Sequence, residues 1–112
     1  RLVLCDALTY AQRKFSPREI IDLATLTGGA AIALGNKAAA LFCNDEKMAA
    51  RLIESGRNTC ERLWELPMWD DYDPIMKGVD ADLINSGKER AAHCIQGAIF
   101  LKQFIESGTR WA

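Results

Sequence analysis

The spacing of hydrophobic residues changes several times along the chain, and each change marks a predicted element. Over residues 1–15, Leu4, Ala7, Leu8, Ala11 and Phe15 recur at helical spacing, and Val3 and Tyr10 widen the stripe. This predicts a helix buried on more than one side, with Asp6 near its start complementing the dipole. Ser16-Pro17 ends it, because the residue before proline avoids the α region. Residues 19–25 are a short run of β-formers and predict a buried strand. Asp22 interrupts that run, which puts it either at a sheet margin or beside a polar partner.

The run closes on Thr25-Leu26-Thr27-Gly28-Gly29, where the strand must stop and the backbone becomes accessible. In an open α/β sheet, ligands bind beyond the carboxyl ends of strands, where loops and helix starts present free N–H groups. The segment reads as one wall of a binding site, although a plain glycine turn after a buried strand fits the same pattern. Residues 30–34 predict a short helix capped by Gly35, with its first N–H groups aimed back at the glycine loop. Residues 38–43 predict a second strand. A parallel pair with the first would need that short helix as a tight crossover.

Asn44, followed by Asp45 and Glu46, predicts a helix start with Asn44 as the cap, and Gly56 its end. In residues 59–67, Leu63, Trp64 and Leu66 stand among charged neighbours, and Pro67 limits any strand there to an edge. Asp70, Asp71 and Asp73 lack the alternate-position ligands, central glycine and distant glutamate of a calcium loop, so they predict a solvated acidic turn. Residues 79–85 predict a short strand, with Gly87 opening the charged loop Lys88-Glu89-Arg90. Residues 91–107 give the strongest helix, with an apolar face from Ala91, Cys94, Ile95, Ala98, Ile99, Leu101 and Ile105, and Gly108 as cap. Trp111-Ala112 reads as the first step of another strand.

Composition narrows the functional classes. The 112 residues suit one domain or part of one, and 49% hydrophobic with 26% charged residues is globular. A formal charge of −1 offers nucleic acid or an anionic membrane no basic surface. Apolar runs stop short of bilayer length, and Arg1 leads straight into a helical pattern, so neither a membrane span nor a leader peptide is expected. Cys5, Cys43, Cys60 and Cys94 are scattered, and His93 is the single histidine, so no zinc spacing exists. The cysteines read as small apolar residues in a reducing cytoplasm. Nucleotide binding at Gly28-Gly29 lacks both a G-x-G-x-x-G pattern and a P-loop lysine.

Three segments carry a resemblance. The opening Arg-Leu-Val-Leu-Cys-Asp-Ala-Leu-Thr-Tyr-Ala, the run Ile20 to Gly35 with its trailing Ala-Leu-Gly, and the late segments Asp80 to Phe104, holding Ala-Asp-Leu-Ile-Asn-Ser-Gly, and Arg110 to Ala112 occur in one order. Together they resemble the cytosolic leucyl aminopeptidase family, metallopeptidase family M17, over nearly the whole chain. The resemblance implies an α/β fold, part of a mixed, largely parallel sheet flanked by helices. It also implies that residues 1–112 are the C-terminal portion of the catalytic domain, truncated at both ends.

In that family two divalent ions, usually zinc with manganese or magnesium exchangeable at one position, help release the N-terminal residue of a peptide. The resemblance maps the family's signature arginine, which positions a bicarbonate base, onto Arg1. It maps the substrate-backbone loop onto Thr25, Leu26 and Gly28. Leu26 would offer its carbonyl and Gly28 its N–H, and Thr25 and Gly28 would line the first side-chain pocket. The metal ligands and the oxyanion lysine would lie before Arg1, so the chain alone is expected to be inactive. Asp6, Asp22 and Asp82 match family carboxylates that are not ligands. The resemblance further implies a peptide substrate, a hexameric homo-oligomer and a cytoplasmic location. One departure stands out: Ala91-Ala92-His93-Cys94-Ile95-Gln96 replaces a Gly/Ala/Thr-rich opening of the late helix, and the bulkier His93 and Gln96 would alter packing near the site. The competing expectation is a non-catalytic α/β binding or assembly module that keeps the fold.

Overall fold

Two short parallel ladders, joined by one asparagine, organise the chain. The computed structural model describes residues 1–87 and 91–112. Helix α1 (Leu2–Phe15) leads to strand β1 (Glu19–Ile20), helix α2 (Gly29–Leu34) and strand β2 (Ala39–Leu41). Helix α3 (Glu46–Thr59), strand β3 (Leu63–Glu65), a 3₁₀ helix (Asp70–Met76), helix α4 (His93–Lys102) and strand β4 (Arg110–Trp111) follow. β1 pairs in parallel with β4, and β2 in parallel with β3, so β1 and β2 are not partners. β4 lies between β1 and the end of β2. The Trp111 carbonyl accepts from the Asn44 N–H at 3.1 Å, and the Trp111 N–H donates to Asn44 Oδ1 at 2.7 Å. Asn44 Nδ2 also donates to the Thr109 carbonyl at 3.0 Å.

Because Asn44 is committed to β4, the cap of α3 falls to Asp45, whose carboxylate accepts from the Met48 N–H at 2.7 Å. This corrects the sequence expectation by one residue. Gly56 does not end α3, which continues to Thr59. Gly56 is buried instead, and a Cβ there would meet the Glu61 carbonyl, so glycine is required by close backbone approach. Asp6 sits beyond the first turn of α1 and faces solvent, away from the dipole position expected of it.

Strand lengths differ most from expectation. β1 is assigned only Glu19–Ile20 of the predicted 19–25, paired with Arg110–Trp111. Its last bond runs from the Asp22 N–H to the Ala112 carbonyl, at 2.9 Å. Residues 79–85 form no strand; they contribute one antiparallel bridge, Lys77 to Leu83. The acidic stretch is a 3₁₀ helix tethered by Lys102 Nζ to Asp70 Oδ1 at 2.8 Å, which holds the Asp70 carboxyl below its usual range. The charged loop at 88–90 lies outside the described residues. All four cysteines are free thiols.

The main core gathers Cys5 and Leu8 of α1, Met76, Trp111 and much of α4. A smaller one joins Leu41, Met48, Ala49 and Ala112. In α4 every residue from Ile95 to Leu101 is buried, so the helix is covered on all sides rather than on one broad face. Its large apolar side chains contribute roughly 1.5–3 kcal/mol each. α4 is also shorter than predicted, ending at Lys102, after which residues 103–107 run as turns. No helix of the described residues is long and apolar enough to cross a membrane.

Asp22 does have a polar partner: the Trp111 indole donates to its carboxylate at 2.5 Å. Burial raises the Asp22 pKa, and the indole bond opposes that rise. A raised pKa means that the folded state holds this proton more tightly, so stability falls as pH rises through the folded value. Asp22→Asn keeps an acceptor for Trp111 and removes the charge. Its melting temperature, measured against wild type from about pH 3 to about pH 7, is expected to improve relatively as pH rises; a relative loss would show that the indole bond dominates. Separately, Asp45→Ala is expected to cost about 1 kcal/mol in denaturant unfolding through loss of the α3 cap.

Candidate functional site

The loop after β1 and the first residue of the chain meet on one face of α4. The meeting point is Gly97. A Cβ built there would lie 3.0 Å from Leu26 Cδ2, 3.2 Å from Thr27 Cγ2 and 3.7 Å from Arg1 Nε. Glycine at this helical position lets three side chains from distant parts of the sequence converge on the helix surface. Leu26 and Thr27 are half-buried there, whereas Thr25 and Gly28 are exposed.

Gly28 and Gly29 do different jobs. Gly29 is buried at the start of α2, and a Cβ on it would come 2.8 Å from the Cys94 N and 3.1 Å from the His93 Cβ. The starts of α2 and α4 are thus pressed together, and Gly29 is what allows it. Gly28 has φ −65° and ψ −13°, an ordinary right-handed conformation open to any residue. A Cβ added there would meet nothing within 4 Å. Among the described residues no hydrogen bond engages the Gly28 N–H or the Leu26 carbonyl, so both backbone groups stand available.

Arg1 is half-buried, and its Nη1 donates to the Asn85 carbonyl. Among the described residues this is the only hydrogen bond of its side chain. Burial lowers the Arg1 pKa from its ordinary value, but an arginine remains charged in any case. Asn85 belongs to a segment held at both ends. The Ile84 N–H donates to the Met76 carbonyl at 2.9 Å, and the Gly87 N–H donates to Gln96 Oε1 at 3.0 Å.

The sequence reading named Arg1, Thr25, Leu26 and Gly28. The structure brings Arg1 and Leu26 together over Gly97 and leaves Thr25 and Gly28 on the open side of the same loop. Gly97 and the Asn85 carbonyl have no part in that expectation, and Gly29, expected to be accessible with Gly28, is buried instead. Gly97 is the one that carried a signal, since glycine inside a strongly apolar helix usually marks close approach. Among the described residues no three His, Cys, Asp or Glu side chains gather where they could hold a metal ion. An open groove of about 610 Å³ beside Trp69 and Lys102 shares no lining residue with the Arg1 cluster.

Comparison with known proteins gives this geometry a context. Residues 1–112 match the model of the cytosol aminopeptidase family, catalytic domain. A probable cytosol aminopeptidase of Chlorobaculum tepidum is 49% identical over 112 residues, 100% of this chain and 22% of that protein. One from Geobacter sp. is 52% identical over the same share of each. Among solved structures, a mutant of tomato leucine aminopeptidase matches with a TM-score of 0.93 at 41% identity, over 98% of this chain and 21% of that one. The cytosol aminopeptidase of Coxiella burnetii matches with a TM-score of 0.89 at 42% identity, over 98% of this chain and 24% of that one. The chain thus spans about a fifth of the length of the curated relatives it matches.

The two packed glycines are expected to respond differently to alanine. At Gly97 a methyl group meets side chains rather than backbone, and the helix propensity alanine gains, roughly 1 kcal/mol, offsets the crowding against Leu26 and Thr27, so Gly97→Ala should be near neutral in stability. At Gly29 it meets backbone, and Gly29→Ala should cost about 1–3 kcal/mol. Denaturant unfolding of the two variants measures the difference.

Proposed function

Because the chain belongs to the cytosol aminopeptidase family, within its catalytic domain, we propose that it supplies the substrate-backbone wall and the anion-holding arginine of a peptidase that releases N-terminal residues from peptides. The observation that carries this reading is Gly28. Neither its backbone angles nor any neighbour demands glycine. An approaching ligand backbone would, and beside it the Gly28 N–H and the Leu26 carbonyl offer one donor and one acceptor. A peptide lying along residues 26–28 would pair with both, as an added strand does. Thr25 and Gly28, exposed on the same loop, would border the side chain of the residue to be released.

Arg1 suits an anion. Its guanidinium is half-exposed, keeps its charge and has one carbonyl partner among the described residues. Bicarbonate held there would supply a weak base beside the scissile bond. Arg1 would hold and orient it, and the Asn85 carbonyl would fix the fork of the guanidinium. The metal pair implied by the resemblance does not fit the described residues, which offer no donor set for it. No step of this reading runs through it. Preference for leucine, a cytoplasmic location and a hexameric assembly belong to the same proposal and rest on the resemblance.

The test uses the protein expressed with its full reading frame, with leucine p-nitroanilide as substrate. Gly28→Ala is expected to change stability by less than about 1 kcal/mol while raising KM several-fold. Arg1→Ala is expected to lower kcat and to abolish any response to added bicarbonate. The chain of 112 residues alone is expected to be inactive; robust chelator-sensitive turnover by it would overturn this reading of its role.

A further inference from the structure

We propose that Gln96 is a positioning residue for Arg1: its buried amide anchors the segment whose Asn85 carbonyl accepts the Arg1 guanidinium. The consequence for catalysis rests on the function proposed above; the positioning itself does not.

Gln96 is one of the most completely buried side chains in the molecule, 1% exposed, on a helix whose other buried positions are apolar or glycine. A buried amide is costly unless it is hydrogen-bonded, so its partners matter. Its Oε1 accepts from the Gly87 N–H at 3.0 Å, and its Nε2 donates to the Ala91 carbonyl at 2.7 Å. One side chain thereby fixes the backbone on both sides of residues 88–90. The fit leaves little slack: a Cβ on Gly87 would lie 2.8 Å from Ile75 Cγ2 and 2.9 Å from Gln96 Oε1.

From Gly87 the chain leads back two residues to Asn85, whose side of the segment is exposed. Beyond it, the next anchor is the Ile84 N–H on the Met76 carbonyl. The Asn85 carbonyl is thus suspended between Met76 and Gln96, and it is where Arg1 Nη1 donates. Next along the helix is Gly97, the residue against which Arg1, Leu26 and Thr27 pack. Arg1 therefore takes its position from α4 twice, through the surface at Gly97 and through the segment held by Gln96. Without Gln96 the second restraint is lost, and the guanidinium swings toward water.

The test compares wild type with Gln96→Met in the protein expressed with its full reading frame. Methionine has similar volume and offers the Gly87 N–H no acceptor of comparable strength. Two quantities are read: kcat and KM on leucine p-nitroanilide, and the rate at which phenylglyoxal modifies Arg1, followed by mass spectrometry of its peptide. The expected result is a kcat about tenfold lower with KM within about twofold, as for one lost hydrogen bond to a charged group's anchor, and Arg1 modified several times faster. Unchanged Arg1 modification overturns the proposal, and a lower kcat beside it is the mark of a purely structural role; faster modification with an unchanged kcat supports the positioning and overturns the role proposed for Arg1 above.

Gln96→Glu provides a second reading should the methionine variant not fold. Its carboxylate keeps an acceptor for Gly87 but opposes the Ala91 carbonyl until protonated. Its kcat relative to wild type should rise, and its excess Arg1 modification should fall, as pH is lowered; a flat ratio in both counts against the proposal. If wild type itself fails to hydrolyse the substrate, the proposed function is lost, while the modification rates still decide whether Gln96 positions Arg1.

Discussion

The middle of α4, Ile95 to Leu101, is buried on every side, and the segments around the helix are fixed largely by hydrogen bonds. Two buried glutamine side chains bind backbone just outside its two ends. At its start Gln96 binds the Ala91 carbonyl and the Gly87 N–H. Past its end Gln12, buried in α1, donates to the Phe104 carbonyl at 2.9 Å and accepts from the Glu106 N–H at 2.7 Å. Gln96 thereby ties residue 87 to α4, and Gln12 ties the turn after α4 to α1, beside the tether from Lys102 to Asp70. The ion pairs are peripheral by contrast: Arg51 and Arg110 to Glu19, Arg13 to Glu106 and Lys102 to Asp70 all involve side chains with substantial exposure. Exposed pairs of this kind contribute little, typically about 0.2–1 kcal/mol.

The same helix sets the geometry of the proposed site. Where α4 needs bulk it uses Ile99, Phe100 and Leu101, and where it must admit another segment it uses Gly97. The loop after β1 is gripped on its inner side by Leu26 and Thr27 and left free on its outer side at Thr25 and Gly28. A loop held in this way can present backbone groups in a fixed direction, as a peptide-binding wall requires.

Helices were legible from the sequence because their signal is local. α1 and α3 start within a residue or two of where period and capping chemistry put them, and α2 ends at Gly35 as expected. Strands were less legible, since pairing depends on a partner remote in the chain: β1 pairs with β4 rather than with β2, and 79–85 has only a single bridge. Asn44 shows the same limit at one residue. Its type suits a helix cap, but its side chain is taken by β4, so Asp45 caps α3. The residues proposed for the site, Arg1 and the Thr25–Gly28 loop, come from family resemblance and turn chemistry. The site's second layer was not legible. Gln96 registered only as a bulky departure, because nothing in sequence spacing reveals that an amide on a buried helix faces the backbone of a segment nine residues earlier.

The pairing of β1 with β4 joins Glu19 to Arg110, about 90 residues apart, whereas β2 and β3 are separated by little more than α3. Closing a loop of that length costs about 4 kcal/mol of chain entropy, against about 3 kcal/mol for the shorter one. The β2–α3–β3 unit can therefore assemble early from nearby contacts, while the β1–β4 ladder waits until most of the chain has collapsed. Arg1 and Leu26 reach Asn85 and Gly97 across comparably long stretches of chain, so the part proposed to meet substrate belongs with these late contacts.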